Sequence, residues 1–273
     1  MKLYEIEGHE PSFLPDGKNF HPVFCEEFDG TELNRDVWDY RVSMMGRRHP
    51  AWVEEGVALD GNSNAVFTLM EKDGRPVSAQ LQTGYNFMDE PVVETTFGQD
   101  HLQWPIGKLK KSRFTHKRGY YECRCRLQQK EGWWSAFWMQ SPVIGASLDP
   151  ADTGVEIDIM ESFSPGEVWP HNVFAGGYGL DMTRRKVGSN SKLDPKEFHR
   201  FGLLWDETGY TFYIDGKEDG HCGELLSDHP EFILISTEVT GYRFADHKPV
   251  PEAFDAIGDT FLVDYIRVFD IDE

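Results

Sequence analysis

The chain has 273 residues, and 47 Asp and Glu against 27 Lys and Arg give a formal charge of -20. That acidic surplus argues against DNA or RNA as a partner, because phosphate binding needs clustered cations. No apolar run approaches the ~20 residues of a membrane span, and a 14% aromatic share argues against disorder. The start, Met1-Lys2-Leu3-Tyr4-Glu5-Ile6-Glu7, lacks the apolar stretch of a secretory signal. The expectation is a soluble, monomeric protein, either cytoplasmic or exported with its leader removed.

In chain order, strands are predicted over residues 114–127, 134–140, 155–161, 199–205, 210–214, 232–238 and 261–269, broken by Gly, Pro, Asp and Asn. Large apolar residues recur at period two in Phe201-Gly202-Leu203-Leu204-Trp205 and Tyr210-Thr211-Phe212-Tyr213-Ile214. Asp206-Glu207-Thr208-Gly209 closes that hairpin, and Asp215-Gly216 opens the next turn. No helix longer than two turns is predicted; residues 193–198 suit one short helical turn with Pro195 near its start. Many short strands, no repeat and no Pro/Ser-rich linker predict one all-β sandwich domain over 1–273, with its core over about 22–269. Cys25, Cys123, Cys125 and Cys222 are expected as buried, reduced thiols, since a lone C-x-C pair is a weak zinc signal.

Gly154-Val155-Glu156-Ile157-Asp158-Ile159-Met160-Glu161-Ser162 carries the chemistry. Three carboxylates alternate with apolar residues in a segment that otherwise reads as a core strand. On a regular strand Glu156 and Asp158 share a face, and Glu161 falls on the other. One bulge between Asp158 and Glu161 brings all three together. Crowded acids repel, so at least one should hold its proton near neutral pH, as a general acid requires. With one bulged residue the Cα atoms of Glu156 and Glu161 would be ~13 Å apart, close enough for two long side chains to lean together. Paired carboxylates at a sugar bond are the equipment of glycoside hydrolysis. Solvent-facing acids on an edge strand and calcium ligation are the competing readings.

Glu156-Ile157-Asp158-Ile159-Met160-Glu161 resembles the E-x-D-x-x-E signature of glycoside hydrolase family 16, in its bulged form. Phe24-Cys25-Glu26-Glu27-Phe28-Asp29-Gly30, followed by Leu33 and Trp38, resembles the family's opening strand. Gly119-Tyr120-Tyr121-Glu122-Cys123-Arg124 and Gly132-Trp133-Trp134-Ser135-Ala136-Phe137-Trp138-Met139 resemble two further segments, with Ser135 where Pro is customary. Residues 199–216 and Val263-Asp264-Tyr265-Ile266-Arg267-Val268 complete the likeness.

The resemblance implies a jelly-roll (concanavalin A-like) sandwich with a cleft on its concave face. It implies Glu156 as nucleophile, Glu161 as acid/base and Asp158 tuning the pair. It also implies Trp134 and Trp138 lining the cleft, and His171 bonding Asp158 or substrate, with a satisfied structural histidine as the alternative. No cofactor is expected for catalysis, a structural calcium fits the fold without a visible ligand set, and the partner is a polysaccharide or oligosaccharide. Where laminarinase-like members carry a polar segment, this chain reads Met44-Met45-Gly46-Arg47-Arg48-His49-Pro50-Ala51-Trp52. Arg47 and Arg48 are candidate contacts to an anionic galactan; Trp52 and Trp104 are candidate outer platforms. Two more basic clusters, Arg184-Arg185-Lys186 and Lys108, Lys110, Lys111, Arg113, His116, Lys117 and Arg118, read equally as solvated loop charge.

The function expected is a retaining endo-β-glycosidase acting on a β-1,3-glucan or an algal β-galactan. A non-catalytic lectin and a transglycosylase are the alternatives.

Overall fold

Period-two apolar residues give each main strand one face for a shared core, and two antiparallel sheets stack on that core. The computed structural model describes residues 1–89, 109–176, 182–244 and 246–272. The first sheet runs in the order Thr183–Val187, His171–Ala175, Val155–Ser162, Trp133–Gln140, Phe232–Val239, Gln80–Gln82, Asp39–Tyr40. The second runs Lys217–Cys222, Gly209–Ile214, His199–Asp206, Gly119–Arg126, Thr260–Ile271, Ala65–Thr68, Val57–Leu59, with Phe20–Glu26 also pairing to Thr260–Ile271. This is the all-β jelly-roll sandwich expected.

Between the sheets lie Trp133, Phe137 and Met139 of one strand, Ile157, Ile159 and Met160 of its neighbour, and Tyr121, Cys123 and Cys125 from the opposite sheet. Each such side chain, fully buried, contributes about 1.5–3 kcal/mol of transfer free energy. Alternation then forces Trp134, Ala136, Trp138 and Gln140 to the outer face of the first sheet, where the cleft lies.

The second sheet carries a separate task. Glu122 is fully buried and accepts from Phe13 N at 3.0 Å and from Tyr265 Oη at 2.7 Å. Arg267 donates through Nε and Nη2 to Glu27 at 2.8 and 2.7 Å and through Nη1 to Glu10 O at 2.8 Å. These buried charges are tolerated because each is paired or hydrogen-bonded, and they fasten the N-terminal arm across that sheet.

Several expectations need correction. The strand expected from residue 114 begins at Gly119, because Arg118 and Gly119 both take positive φ, 65° and 99°. Residues 195–197 form a turn, not a helical turn, since Asp194 Oδ1 caps Lys196 N at 3.0 Å. Among the described residues the helices are Pro150–Thr153 and Pro251–Asp255, each with Pro in its first turn. Cys25 is exposed, whereas the other three thiols are free and buried as expected. Asp215 and Gly216 have φ of 49° and 74°, the left-handed pair that a two-residue hairpin between Ile214 and Lys217 requires.

Candidate active site

The catalytic segment starts at a fixed point. Asp149 caps the helix Pro150–Thr153, and Gly154 ends it with φ 72°. A side chain at Gly154 would meet Ser141 Cβ at 2.4 Å, so the chain turns into the next strand where only glycine fits. Val155 N then donates to the buried Glu231 Oε1 at 3.0 Å.

Along the strand Val155–Ser162, Glu156 lies opposite Gln140 and Asp158 opposite Trp138, but Met160 lies opposite Phe137 and Glu161 opposite Ala136. Ile159 is therefore the extra residue of a bulge, and Glu156, Asp158 and Glu161 all face the cleft. The bulge the spacing called for sits where it was expected.

The cleft consists of two adjoining hollows of about 310 and 270 Å³ that share Trp138, Glu156 and Arg243. In the larger, Trp134 and Trp138 form the floor beside the three acids, and Phe163 and the exposed Phe244 form the rim. The smaller adds Arg41, Met44, Met45 and Asp89. Trp138 Nε1 donates to Ser236 Oγ at 2.8 Å, which fixes its ring. Guanidinium groups lie over both indoles: Arg243 Cζ is 5.5 Å from the Trp134 ring centroid and Arg41 Cζ is 5.1 Å from that of Trp138.

Hydrogen bonds distinguish the acids. Gln140 Nε2 donates to Glu156 Oε2 at 2.6 Å. Asn172 Nδ2 donates to both Asp158 Oδ2 at 3.2 Å and Glu161 Oε2 at 3.1 Å. Arg184 in turn donates through Nε and Nη2 to Asn172 Oδ1 at 2.9 and 2.6 Å. Burial first, and then the neighbouring Glu156 charge, push the Glu161 carboxyl up to about 7. Asp158 is pushed well above the usual carboxylate range by burial and by both neighbouring acids. Arg41 and Arg243 are themselves paired, to Asp89 at 2.6 Å and to Glu238.

His171 does not line the cleft. It is buried on the core face, stacked 4.3 Å from the Phe212 ring. Its Nδ1 donates to Ile159 O at 2.7 Å, so the ring holds the carbonyl of the bulged residue. Burial depresses its pKa, in keeping with a neutral ring. The bond to Asp158 comes from Asn172, one residue on and on the opposite face.

Trp52 is not an exposed platform either: it is 1% exposed, stacked on His49 at 4.1 Å. Arg47 and Arg48 are exposed on the hairpin from Ser43 to Arg48, outside both hollows, and Arg48 Nη2 donates to Trp52 O at 3.3 Å. Trp104 and Lys108 lie outside the described residues. The third basic cluster is largely neutralised: Arg113, His116, Lys117 and Arg118 pair with Asp39, Asp270, Asp228 and Glu207.

Sequence reasoning misses Arg41, Gln140, Asn172, Arg243 and Phe244 as site residues and reads Arg184 only as part of a basic cluster. Parity would have found Gln140, two positions from Trp138. Nothing periodic marks Arg41 or the loop that carries Arg243. Among the described residues, no group of three or more His, Cys, Asp or Glu could hold a metal ion. Nor is any helix there long and apolar enough to cross a membrane.

The family model for glycosyl hydrolases family 16 matches residues 67–223. The chain is 26% identical over 274 residues to glucan endo-1,3-beta-glucosidase A1 of Niallia circulans, covering 90% of this chain and 37% of that protein. It is 23% identical over 292 residues to beta-porphyranase D of Zobellia galactanivorans, covering 95% of this chain and 62% of that one. The solved laminarinase from Rhodothermus marinus superposes with a TM-score of 0.65 at 21% identity, over 94% of this chain and 99% of that chain. The chain thus spans 37% and 62% of the length of these two curated relatives, less than two thirds of each.

Proposed function

The chain belongs to glycosyl hydrolase family 16, and on that premise we propose that it is a retaining endo-β-glycosidase that hydrolyses a neutral β-linked glucan. The observation that carries this reading is the Ile159 bulge, which turns Glu156, Asp158 and Glu161 into one aromatic-floored cleft.

In the first step Glu156, oriented by Gln140, attacks the anomeric carbon while Glu161 gives its proton to the leaving oxygen. A carboxyl near 7 is half protonated at neutral pH and suits that task. In the second step the ionised Glu161 takes a proton from water, which releases the sugar from Glu156. Asp158 lies between them, buried and disposed to hold a proton, so it adds little negative charge beside the nucleophile. Hydrolysis by this family needs no cofactor. The flat faces of Trp134 and Trp138 suit the C–H faces of pyranose rings.

The choice of a neutral glucan over a sulfated galactan is supported by charge. The two hollows carry five acids against Arg41 and Arg243, and both arginines already hold carboxylates. A sulfate would have to displace an existing ion pair. A lectin would have no use for a carboxyl held near 7 beside a second acid. A transglycosylase would share the first step and differ in acceptor.

The test is product stereochemistry. Proton NMR during cleavage of a β-1,3-glucan oligosaccharide should show the β-anomer first. Early α-anomer would sink double displacement, and products longer than the substrate would favour transglycosylation.

A further inference from the structure

We propose that Arg184 is a positioning residue for the reaction, clamping the Asn172 amide so that one nitrogen serves both Asp158 and Glu161. The proposal rests on the hydrolytic reading above, but one of its readouts needs no turnover.

Arg184 stands on Thr183–Val187, the edge strand of the cleft sheet, opposite Phe174. Its Cζ lies 5.1 Å from the Phe174 ring centroid. Nε and Nη2 both reach Asn172 Oδ1, at 2.9 and 2.6 Å, and these two bonds use both lone pairs of the amide oxygen. Flipping the amide would set its NH2 group against the guanidinium and its oxygen against two carboxyl groups. Both bonds from Arg184 would be lost to a donor facing a donor, so the cation selects one of the two orientations.

In the selected orientation the two amide hydrogens are spent on Asp158 Oδ2 and Glu161 Oε2, at 3.2 and 3.1 Å. Arg184, an exposed residue, thereby acts on the Asp158 and Glu161 carboxyls through Asn172. A donated hydrogen bond favours the ionised form of the acceptor. Glu161 needs that form in the second half of the reaction, when it must take a proton from water.

The charged groups acting on Glu161 come from four directions. Glu156 shares its strand, as does Asp158, which is disposed to hold its own proton, and Glu238 faces it from Phe232–Val239. Arg243 faces it from the loop after that strand, and Arg184 from the edge. The acids favour a retained proton; the two arginines and the Asn172 amide oppose them. Releasing the amide tips this balance toward the protonated acid and slows deglycosylation.

Arg184→Lys and Arg184→Gln separate the clamp from bare charge. Lysine keeps the cation but has no fork to occupy both lone pairs. Because Arg184 is exposed, both variants should unfold at the wild-type temperature. We expect kcat to fall about tenfold in Arg184→Lys, the cost of one misaligned charge-assisted hydrogen bond, with KM within about twofold. Arg184→Gln should fall further, and the alkaline limb of kcat/KM should move to higher pH in both. Without substrate, the ¹³C carboxyl signal of Glu161, assigned by its loss in Glu161→Gln, should titrate at higher pH in both variants.

Unchanged titration and unchanged kcat in both would overturn the proposal, as would a rise in KM alone. Wild-type behaviour of Arg184→Lys beside a shifted Arg184→Gln would also overturn it, by reducing Arg184 to a charge. If the wild type cleaves no glycan, the hydrolytic reading fails, and the titration still decides the clamp.

Discussion

Gln140 Nε2 donates to Glu156 Oε2 at 2.6 Å, a short bond between residues that lie opposite each other on adjacent strands. It is charge-assisted when Glu156 is ionised, and it fixes one oxygen of the proposed nucleophile. Gln140→Met keeps the length of the side chain and removes the donor. The expected result is a fall in kcat of about tenfold or more, with KM little changed, since the bond aligns the nucleophile without holding the sugar. A rise in KM at constant kcat would mean that Gln140 binds substrate.

The Glu161 carboxyl near 7 predicts the alkaline limb of the pH profile. Its acid form dominates below that value and is lost as pH rises through it. kcat/KM should therefore fall about tenfold per pH unit on the alkaline side. Glu161→Gln should remove the limb and cost about 10²–10⁴ in rate on substrates with poor leaving groups. A rate that stays level from pH 6 to 9 in the wild type would assign the acid elsewhere.

Glu231 connects the site to stability. It is fully buried, its pKa pushed up to about 8 mainly by burial, and it accepts from Val155 N beside the nucleophile. Between its unfolded value, 4.5, and about 8, the native state binds the proton and the unfolded chain does not. Stability must then fall as pH rises through that window, and Glu161 and Asp158 act in the same direction. Glu231→Gln mimics the protonated acid, so its Tm should decline less than that of the wild type between pH 6 and 9. Parallel declines by calorimetry would show that Glu231 does not titrate with folding.

Trp138 and the pair Arg47 and Arg48 make opposite predictions for binding. Trp138 belongs to both hollows, so Trp138→Ala should raise KM for a β-glucan about tenfold or more through lost stacking. Arg47→Ala with Arg48→Ala should leave that KM unchanged, because neither lines either of the two cleft hollows. A lower affinity for a sulfated galactan in the double variant would revive the anionic substrate.

The sandwich and the acid triad were legible in the sequence for one physical reason, strand parity. Five positions separate Glu156 from Glu161, and only a bulge brings an odd spacing to one face. The same parity betrays the misplacement of His171. Val173 and Ala175 are core residues, so His171 goes inward with them and Asn172 outward to Asp158. The likeness of the segment points to the histidine, whereas the alternation around it turns that side chain into the core. Arg41 and Arg243 reach the cleft from outside the long strands, by tertiary approach that no local periodicity encodes. The basic clusters misled because charge in sequence shows nothing of its partners; Arg113 and Arg118 are spent on Asp39 and Glu207.

Reducing-sugar release from a soluble β-1,3-glucan, by the wild type and by Glu156→Gln side by side, tests the central claim most directly. The wild type should release reducing ends with an endo pattern. The variant should release none above background while it retains its Tm and its binding of the same glucan. Undiminished release by Glu156→Gln would show that the nucleophile is not Glu156. Release by neither, across β-glucans and β-galactans alike, would contradict the assignment of this cleft to glycoside hydrolysis.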